Sequence, residues 1–387
     1  MLNFELSEEQ LEIQKLARDF ANKTLRPLVR ELDDESKEFN WNIPKWLHEL
    51  GFLGLLIPEE MGGAGKTVME SMIVMEELAA VEPGVCTTMG GAWLTIGPLL
   101  LAGTEAQWKK FFPVFVEEGG LGSSATTEPQ GGSDLEATEQ FPGALRTTAR
   151  KVGDEYVLNG RKCFISNAGI ASLYITLATL DRENWKENSC LFIVPKDTPG
   201  LSFGKPEEKM GLHSSVTGDV IFEDVRIPAE NRIGPEGAGY MIHMNRLAMA
   251  RGPVAAQAVG IARSAFETAL AYAKERVQGG KLIIEHQAIA TMLADMAIQI
   301  EAARLLLWKA NWVNSTYLPP TRTFSTMAKV FCTDMAMKVT TDAIQVLGGY
   351  GYMKEYLLEK AMRDAKVLQI YEGPNQICRL AIAEDLM

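Results

Sequence analysis

Glu155-Tyr156-Val157-Leu158-Asn159-Gly160-Arg161-Lys162-Cys163-Phe164-Ile165 decides how the chain is read. Tyr, Val, Phe and Ile suit a pleated, half-buried backbone. Asn-Gly between two such runs is a strong hairpin signal, because both turn residues must take positive φ. The stretch therefore predicts two antiparallel strands that turn at Asn159-Gly160. Residues 173–180, 190–194 and 219–222 read as further strands. Thr, Val, Gly and Pro are frequent from residue 122 to about residue 234, which predicts a small all-β unit.

Outward from this block the pattern is helical on both sides. Ser7 and Gln10 are placed for a capping box. Leu11, Ile13, Leu16, Ala17, Phe20 and Ala21 then recur at helical spacing. Residues 71–80 are rich in Met, Glu and Ala, all good helix formers. Residues 254–276, 287–314 and 325–347 are periodic and rich in Ala, Leu and Met. Each exceeds the average helix of about 11–12 residues, so a packed bundle is predicted. Helices, then strands, then helices argue against an alternating βα fold. The predicted class is α+β, with units at residues 1–118, 119–234 and 235–387.

The 387 residues are 47% hydrophobic and 23% charged, an ordinary globular balance that rules out wholesale disorder. A formal net charge of −12 lacks the positive field that phosphate backbones require, so nucleic acid is not the expected partner. Residues 1–9 are acidic and amphipathic, without a basic targeting region. No uninterrupted apolar run reaches the roughly 18 residues that would span a bilayer. The expectation is a soluble, cytoplasmic protein with no membrane span. Five widely spaced cysteines without a CxxC suit a reducing compartment. His48, His213, His243 and His286 form no ligand pair at helical spacing, so no metal site is expected.

Gly62-Gly63-Ala64-Gly65-Lys66-Thr67 imitates a phosphate loop, but the first glycine of that pattern falls on Glu60. A glycine-rich loop between helices is the better reading. Gly348-Gly349-Tyr350-Gly351 fails the dinucleotide pattern, because Lys354 stands at the third-glycine position. Ala125-Thr126-Thr127-Glu128-Pro129-Gln130-Gly131-Gly132-Ser133-Asp134 crowds hydroxyls and free backbone N–H groups into one loop. Such a loop can donate to a polar ring edge or a phosphate, or be a plain turn cluster. In Tyr371-Glu372-Gly373-Pro374-Asn375-Gln376, the carboxylate is either a desolvated base or a solvated helix end. Arg251 and Arg276, taken singly, read as surface salt bridges of little energetic value.

Taken together, these stretches resemble the acyl-CoA dehydrogenase family over essentially the whole chain. The matching segments are residues 58–65, 127–134, 162–167, 209–211, 222–228, 280–289, 345–351, 362–366 and 370–373. The stretch around His286 is most similar to medium-chain members. The resemblance implies an N-terminal helical domain, a middle β-barrel-like domain and a C-terminal four-helix domain. It also implies FAD and a homotetramer built as a dimer of dimers.

By position, Ala125, Thr126, Thr127, Gly132 and Ser133 belong to the implied cofactor loop. Thr127 meets the flavin pyrimidine edge, and Ser133 also bonds the CoA thioester arm. Phe164 replaces the Trp that often packs on the flavin, and Ser166 replaces the Thr near N5. Arg276, Gln278, Gln287, Gln345 and Gly349 match positions that hold a neighbouring subunit's FAD; Gly348, Pro374 and Gln376 complete the cofactor set. Glu372 matches the base that removes the α-proton, the β-hydride passing to the flavin to leave a trans-2-enoyl-CoA. Arg251, Tyr371, Gly373 and Gly90 match substrate positions. Electrons would leave through an electron-transfer flavoprotein.

Some positions depart from the family pattern: Pro374 for Thr, Gly279 for Phe, Ala248 for an acidic residue, and His213 and Val216 for Arg and Asp. Gly90-Gly91-Ala92 predicts a small, uncharged pocket floor with no nearby arginine. That floor suits a medium-length or bulkier alicyclic or aromatic acyl group and disfavours a second carboxylate. The same residues also fit an enoyl-CoA reductase running the reaction backwards, or a silent scaffold. An intact Glu372 speaks against the scaffold, as it does against nitroalkane-oxidase and monooxygenase relatives.

Overall fold

The computed structural model describes residues 5–136, 141–316 and 321–387. Helices run to residue 116, a sheet occupies residues 122–233, and helices resume at residue 239. The N-terminal helices include α1 (Glu8–Phe20), α2 (Asn42–Glu49), α3 (Val68–Ala79), α4 (Pro83–Ala102) and α5 (Glu105–Phe111). The predicted capping box is present at α1, where the Ser7 side chain accepts from the N–H of Gln10. The Gly-rich stretch before α3 is a loop, and its last two residues have local work. Lys66 pairs with Glu9 at 2.5 Å, and Thr67 caps α3 with Glu70. Residues 1–4 of the acidic N-terminal stretch lie outside the described residues.

The sheet has eight strands: β1 (Gly122–Ala125), β2 (Thr148–Val152), β3 (Glu155–Ser166), β4 (Leu173–Thr179), β5 (Ser189–Pro195), β6 (Leu201–Phe203), β7 (Thr217–Pro228) and β8 (Arg232–Ile233). The order is β6-β7-β3-β2-β4-β5-β8, with β1 alongside β4. The predicted hairpin at Asn159-Gly160 is corrected. Strand β3 passes straight through both residues, and the turn lies earlier, between Val152 and Glu155. The β3–β7 register shifts between Leu158 and Gly160. A Cβ on Gly160 would stand 2.7 Å from the Thr147 Cα, so the glycine serves close backbone approach. Asn159 bonds the Asp224 N–H and carboxylate instead of turning the chain.

Three long helices follow: α6 (Gly239–Glu275), α7 (Gln287–Thr316) and α8 (Arg322–Leu347). Shorter helices α9 (Leu358–Leu368) and α10 (Asn375–Leu386) pack on α8. Helix α6 is the spine, touching α3 and α4 on one side, α7 and α8 on another, and β5 at its start. Helix α4 is long and apolar. By length and composition Pro83–Ala102 could cross a membrane, with mean hydropathy 1.4. Glycines and threonines interrupt its apolar run, which hides it from a scan for unbroken apolar sequence. Of its most apolar window, 67% is buried inside the protein, so packing accounts for its composition.

A buried charged cluster joins all three parts. Lys360 on α9 pairs with Asp364 at 2.6 Å and with Glu82, at the head of α4, at 3.1 Å. Asp364 also accepts from the Leu212 N–H at 2.6 Å, and Ser214 donates to Glu82. Arg363 donates to the Met210 carbonyl at 3.1 Å, so two of the matched motifs, residues 209–211 and 362–366, meet in structural work. His213 joins the same region, within 2.9 Å of the Asp33 carbonyl. All five cysteines are buried free thiols.

Candidate active site

Glu372 lies in the short link between α9 and α10, with φ +52. That is an uncommon conformation for a non-glycine residue, and it persists only where surroundings impose it. Here Arg251 Nε donates to the Glu372 carbonyl at 3.1 Å. Lys329 Nζ donates to the Gly373 carbonyl at 2.6 Å and to Asn375 Oδ1 at 2.8 Å. Burial pushes the Lys329 ammonium down to about 8. On the other side, Tyr371 OH donates to Gln257 Oε1 at 2.6 Å, and Gln257 is anchored on the Pro83 carbonyl. The loop is therefore held by α4, α6 and α8 together. Glu372 Oε2 is buried and, among the described residues, has no hydrogen-bond partner.

Arg251 is not the surface group expected, being 2% exposed. Nor does its guanidinium line the cavity described below: Nε, Nη1 and Nη2 go to Glu372 O, Thr326 Oγ1 and Glu136 Oε2. Glu136 was not singled out in the sequence. Burial pushes its carboxyl up, Arg251 draws it back, and Glu372 adds a further push. Gly373 gives these groups room: a Cβ there would lie 2.3 Å from Glu136 Oε2 and 2.9 Å from Arg251 Nη2.

The facing wall comes from the sheet. Lys162 and Glu128 form a fully buried ion pair at 2.9 Å, and Lys162 also donates to the Thr126 carbonyl. The Cys163 N–H donates to the Thr127 carbonyl at 2.9 Å. These bonds fasten the loop after Ala125, at the end of β1, to β3. Beyond them on β3, Phe164 has φ +58 and is 69% exposed, an apolar ring turned outward. Ser166 ends the strand, its carbonyl accepting from Ser123 Oγ at 2.7 Å. Gly132 and Ser133 open the short helical turn that leads to Glu136.

A cavity of about 100 Å³ lies between these walls, lined by Ser166, Glu372, Tyr371, Gly90 and apolar groups that include Met75 and Trp93. The two glycines of the expected floor separate. A Cβ on Gly90 would meet only the Met75 methyl, at 3.4 Å. A Cβ on Gly91 would lie 2.4 Å from Asn167 Nδ2 and 2.5 Å from the Gly122 carbonyl, so Gly91 serves close packing and not the floor. Gly91→Ala is accordingly expected to lower stability by about 1–3 kcal/mol through overpacking, whereas Gly90→Ala is expected to leave it within about 0.5 kcal/mol. Chemical denaturation of both variants checks this; equal losses would contradict the assignment. The expectation of no nearby arginine is also corrected, because Arg246 lines the cavity.

Arg276, Gln278, Gln345, Gly348 and Gly349 meet in a second, open groove of about 460 Å³, with the Arg276 guanidinium 5.5 Å from the Tyr350 ring centre. Among the described residues none lines both cavities. Gln287 heads α7, exposed and outside the groove's lining. Pro374 caps α10, where its missing N–H has no helical partner to lose, and Gln376 is exposed in the first turn.

The arrangement places a carboxylate with one buried, unbonded oxygen beside a hydroxyl-bearing strand end in a largely apolar cavity. That suits removal of a weakly acidic C–H proton beside an activating group. Comparison with known proteins gives the family. Residues 7–119, 123–225 and 237–387 match the N-terminal, middle and C-terminal domain models of acyl-CoA dehydrogenase. An acyl-CoA dehydrogenase of Bacillus subtilis (strain 168) is 41% identical over 384 residues, 99% of each chain. The butyryl-CoA dehydrogenase structure from Megasphaera elsdenii is 40% identical with a TM-score of 0.93, covering 100% of both chains. A structure described as the electron transferring flavoprotein of Acidaminococcus fermentans is 41% identical with a TM-score of 0.94, again over 100% of both. The chain belongs to the acyl-CoA dehydrogenase family. It is an oxidoreductase of that family.

Proposed function

We propose that the chain removes the α-proton of a short acyl-CoA with Glu372 and yields a trans-2-enoyl-CoA. The observation that carries this is the buried, partnerless Glu372 Oε2 in a cavity shared with Ser166. Domains at residues 1–118, 119–234 and 235–387 are part of the same reading. Bound FAD would supply the acceptor for the hydride that leaves the β-carbon. The residues present fit that group: hydroxyls at Thr126, Thr127 and Ser133, an outward aromatic face at Phe164, and the Ser166 hydroxyl at the cavity.

The protein's own contribution is orientation and a dry site. Arg251 and Lys329 hold the Glu372 and Gly373 carbonyls, and Tyr371 is tied to Gln257 on the other side, so the carboxylate is fixed before substrate arrives. The apolar walls exclude water and leave the carboxylate undiluted by solvent hydrogen bonds. The Met75 methyl beside Gly90 narrows the floor and favours a short acyl group over the bulkier ones expected from the glycines. The relative of known structure named for butyryl-CoA supports this length. The neighbour described as an electron transferring flavoprotein supports such a protein as the electron partner.

The second groove supports a homotetramer. Groups matching one cofactor site fall in two separate cavities of a single chain, so a neighbouring copy is needed to complete it. Ligand binding and assembly are then linked by mass action. Arg276→Ala is expected to release FAD on dilution and to lower the melting temperature when free FAD is scarce. Flavin absorbance after gel filtration checks this; a monomer that keeps its FAD would contradict it.

A further inference from the structure

Arg246 lies on α6 and is 4% exposed. Its Nη2 meets His243 Nδ1 at 3.0 Å, while Nη1 is buried with no hydrogen-bond partner among the described residues. Burial, with Arg246 beside it, holds His243 well below the ordinary histidine value, so the imidazole is neutral and accepts from the guanidinium. It cannot balance the charge. Burial also disfavours the Arg246 cation, and Glu372 and Glu136 favour it from a distance. Glu136 is engaged by Arg251, and among the described residues no carboxylate lies within ion-pair distance of Arg246. A guanidinium stays protonated in proteins. A buried charge is costly unless it is paired. The cavity that Arg246 lines is otherwise apolar near it, with Leu94, Met249 and Pro253 among the walls.

We propose that Arg246 is a specificity residue that receives a carboxylate carried on the acyl chain, so that the substrate class is a short dicarboxylic acid bound to CoA through one end. This rests on the reading of the cavity as the acyl site. The partnerless Nη1 supplies the donor, and the substrate supplies the missing anion. Glu372 then acts on the α-carbon while the far carboxylate is held by α6.

The test compares glutaryl-CoA with pentanoyl-CoA, which has the same chain length and no second charge, in the FAD-loaded protein. The wild type is expected to show kcat/KM at least about ten-fold higher for glutaryl-CoA. Arg246→Met is expected to lower the glutaryl-to-pentanoyl ratio by about 10²-fold, the scale of removing one partner of a buried charge pair. Arg246→Lys should restore part of that ratio. A wild-type preference for pentanoyl-CoA would overturn the proposal alone. So would a ratio that Arg246→Met leaves unmoved, because the arginine would then serve the fold or the common thioester. Failure of both thioesters to reduce the flavin would overturn the dehydrogenase reading and this inference with it.

Discussion

Glu372→Gln is expected to lower flavin reduction by an acyl-CoA by at least about 10²–10⁴-fold, the usual scale for loss of a general base. The substitution keeps the side chain's shape and removes its ability to take a proton. The loop around it should survive, because the bonds that hold it go elsewhere. Arg251 bonds the Glu372 carbonyl, Lys329 bonds the Gly373 carbonyl and Tyr371 bonds Gln257. FAD content and acyl-CoA binding should therefore remain, and stopped-flow bleaching isolates the chemical step. Near-normal bleaching in the variant would remove Glu372 from the role.

Lys162→Met is expected to destabilise the protein by about 3–5 kcal/mol, because it leaves Glu128 buried without its counter-charge. The pair lies at 2.9 Å with both side chains essentially inaccessible. Burial alone would push the Glu128 carboxyl up. The Lys162 charge and the hydrogen bonds from Thr147 outweigh it and hold the group below the ordinary carboxylate range. The sign follows directly. A carboxyl lowered in the folded state contributes stability above its unfolded value, about 4.3. That stability is lost as pH falls through the lower folded value. Denaturant midpoints at pH 7 and below pH 4 check both points. Adding Glu128→Gln to Lys162→Met should recover part of the loss. No loss at pH 7 in the single variant would show that the pair does not fasten the Thr126 loop.

Much of this architecture was legible in the sequence. The order of helices, strands and helices follows from period and composition. Long Ala- and Leu-rich stretches leave little alternative to packed helices, and α7 and α8 lie close to where their periodicity placed them, while α6 starts at Gly239, well ahead of the stretch at 254–276. The residues that meet in the main cavity, Glu372, Tyr371, Ser166 and Gly90, were all named from motif position. The misreadings share a physical origin. Asn159-Gly160 carries a true local turn preference, but Thr147 packs against Gly160, Asn159 pairs with Thr148 on β2 and Gly160 with Phe222 on β7, so tertiary contact prevails. Gly90 and Gly91 are adjacent and chemically identical, and only the helix's rotation tells a pocket wall from a packing contact.

Other features are long-range by nature. Glu136 and Arg251 are 115 positions apart, and Lys329 reaches a carbonyl 44 positions away. No periodicity reveals such partners. Arg246 is hidden for a related reason. Its helix is partly buried all round at that point, and the sequence does not say which neighbour a charged side chain will lack. The absence of a partner is visible only once every surrounding group has been placed.

The central claim is that one largely apolar cavity performs acyl-CoA dehydrogenation with Glu372 as base. Anaerobic titration of the FAD-loaded wild-type protein with butyryl-CoA and glutaryl-CoA tests it most directly, with the flavin absorbance followed and the products analysed by mass. The account predicts bleaching in proportion to the thioester added, with the matching enoyl-CoA formed. Thioester that binds while the flavin stays oxidised, with no enoyl-CoA produced, would contradict it.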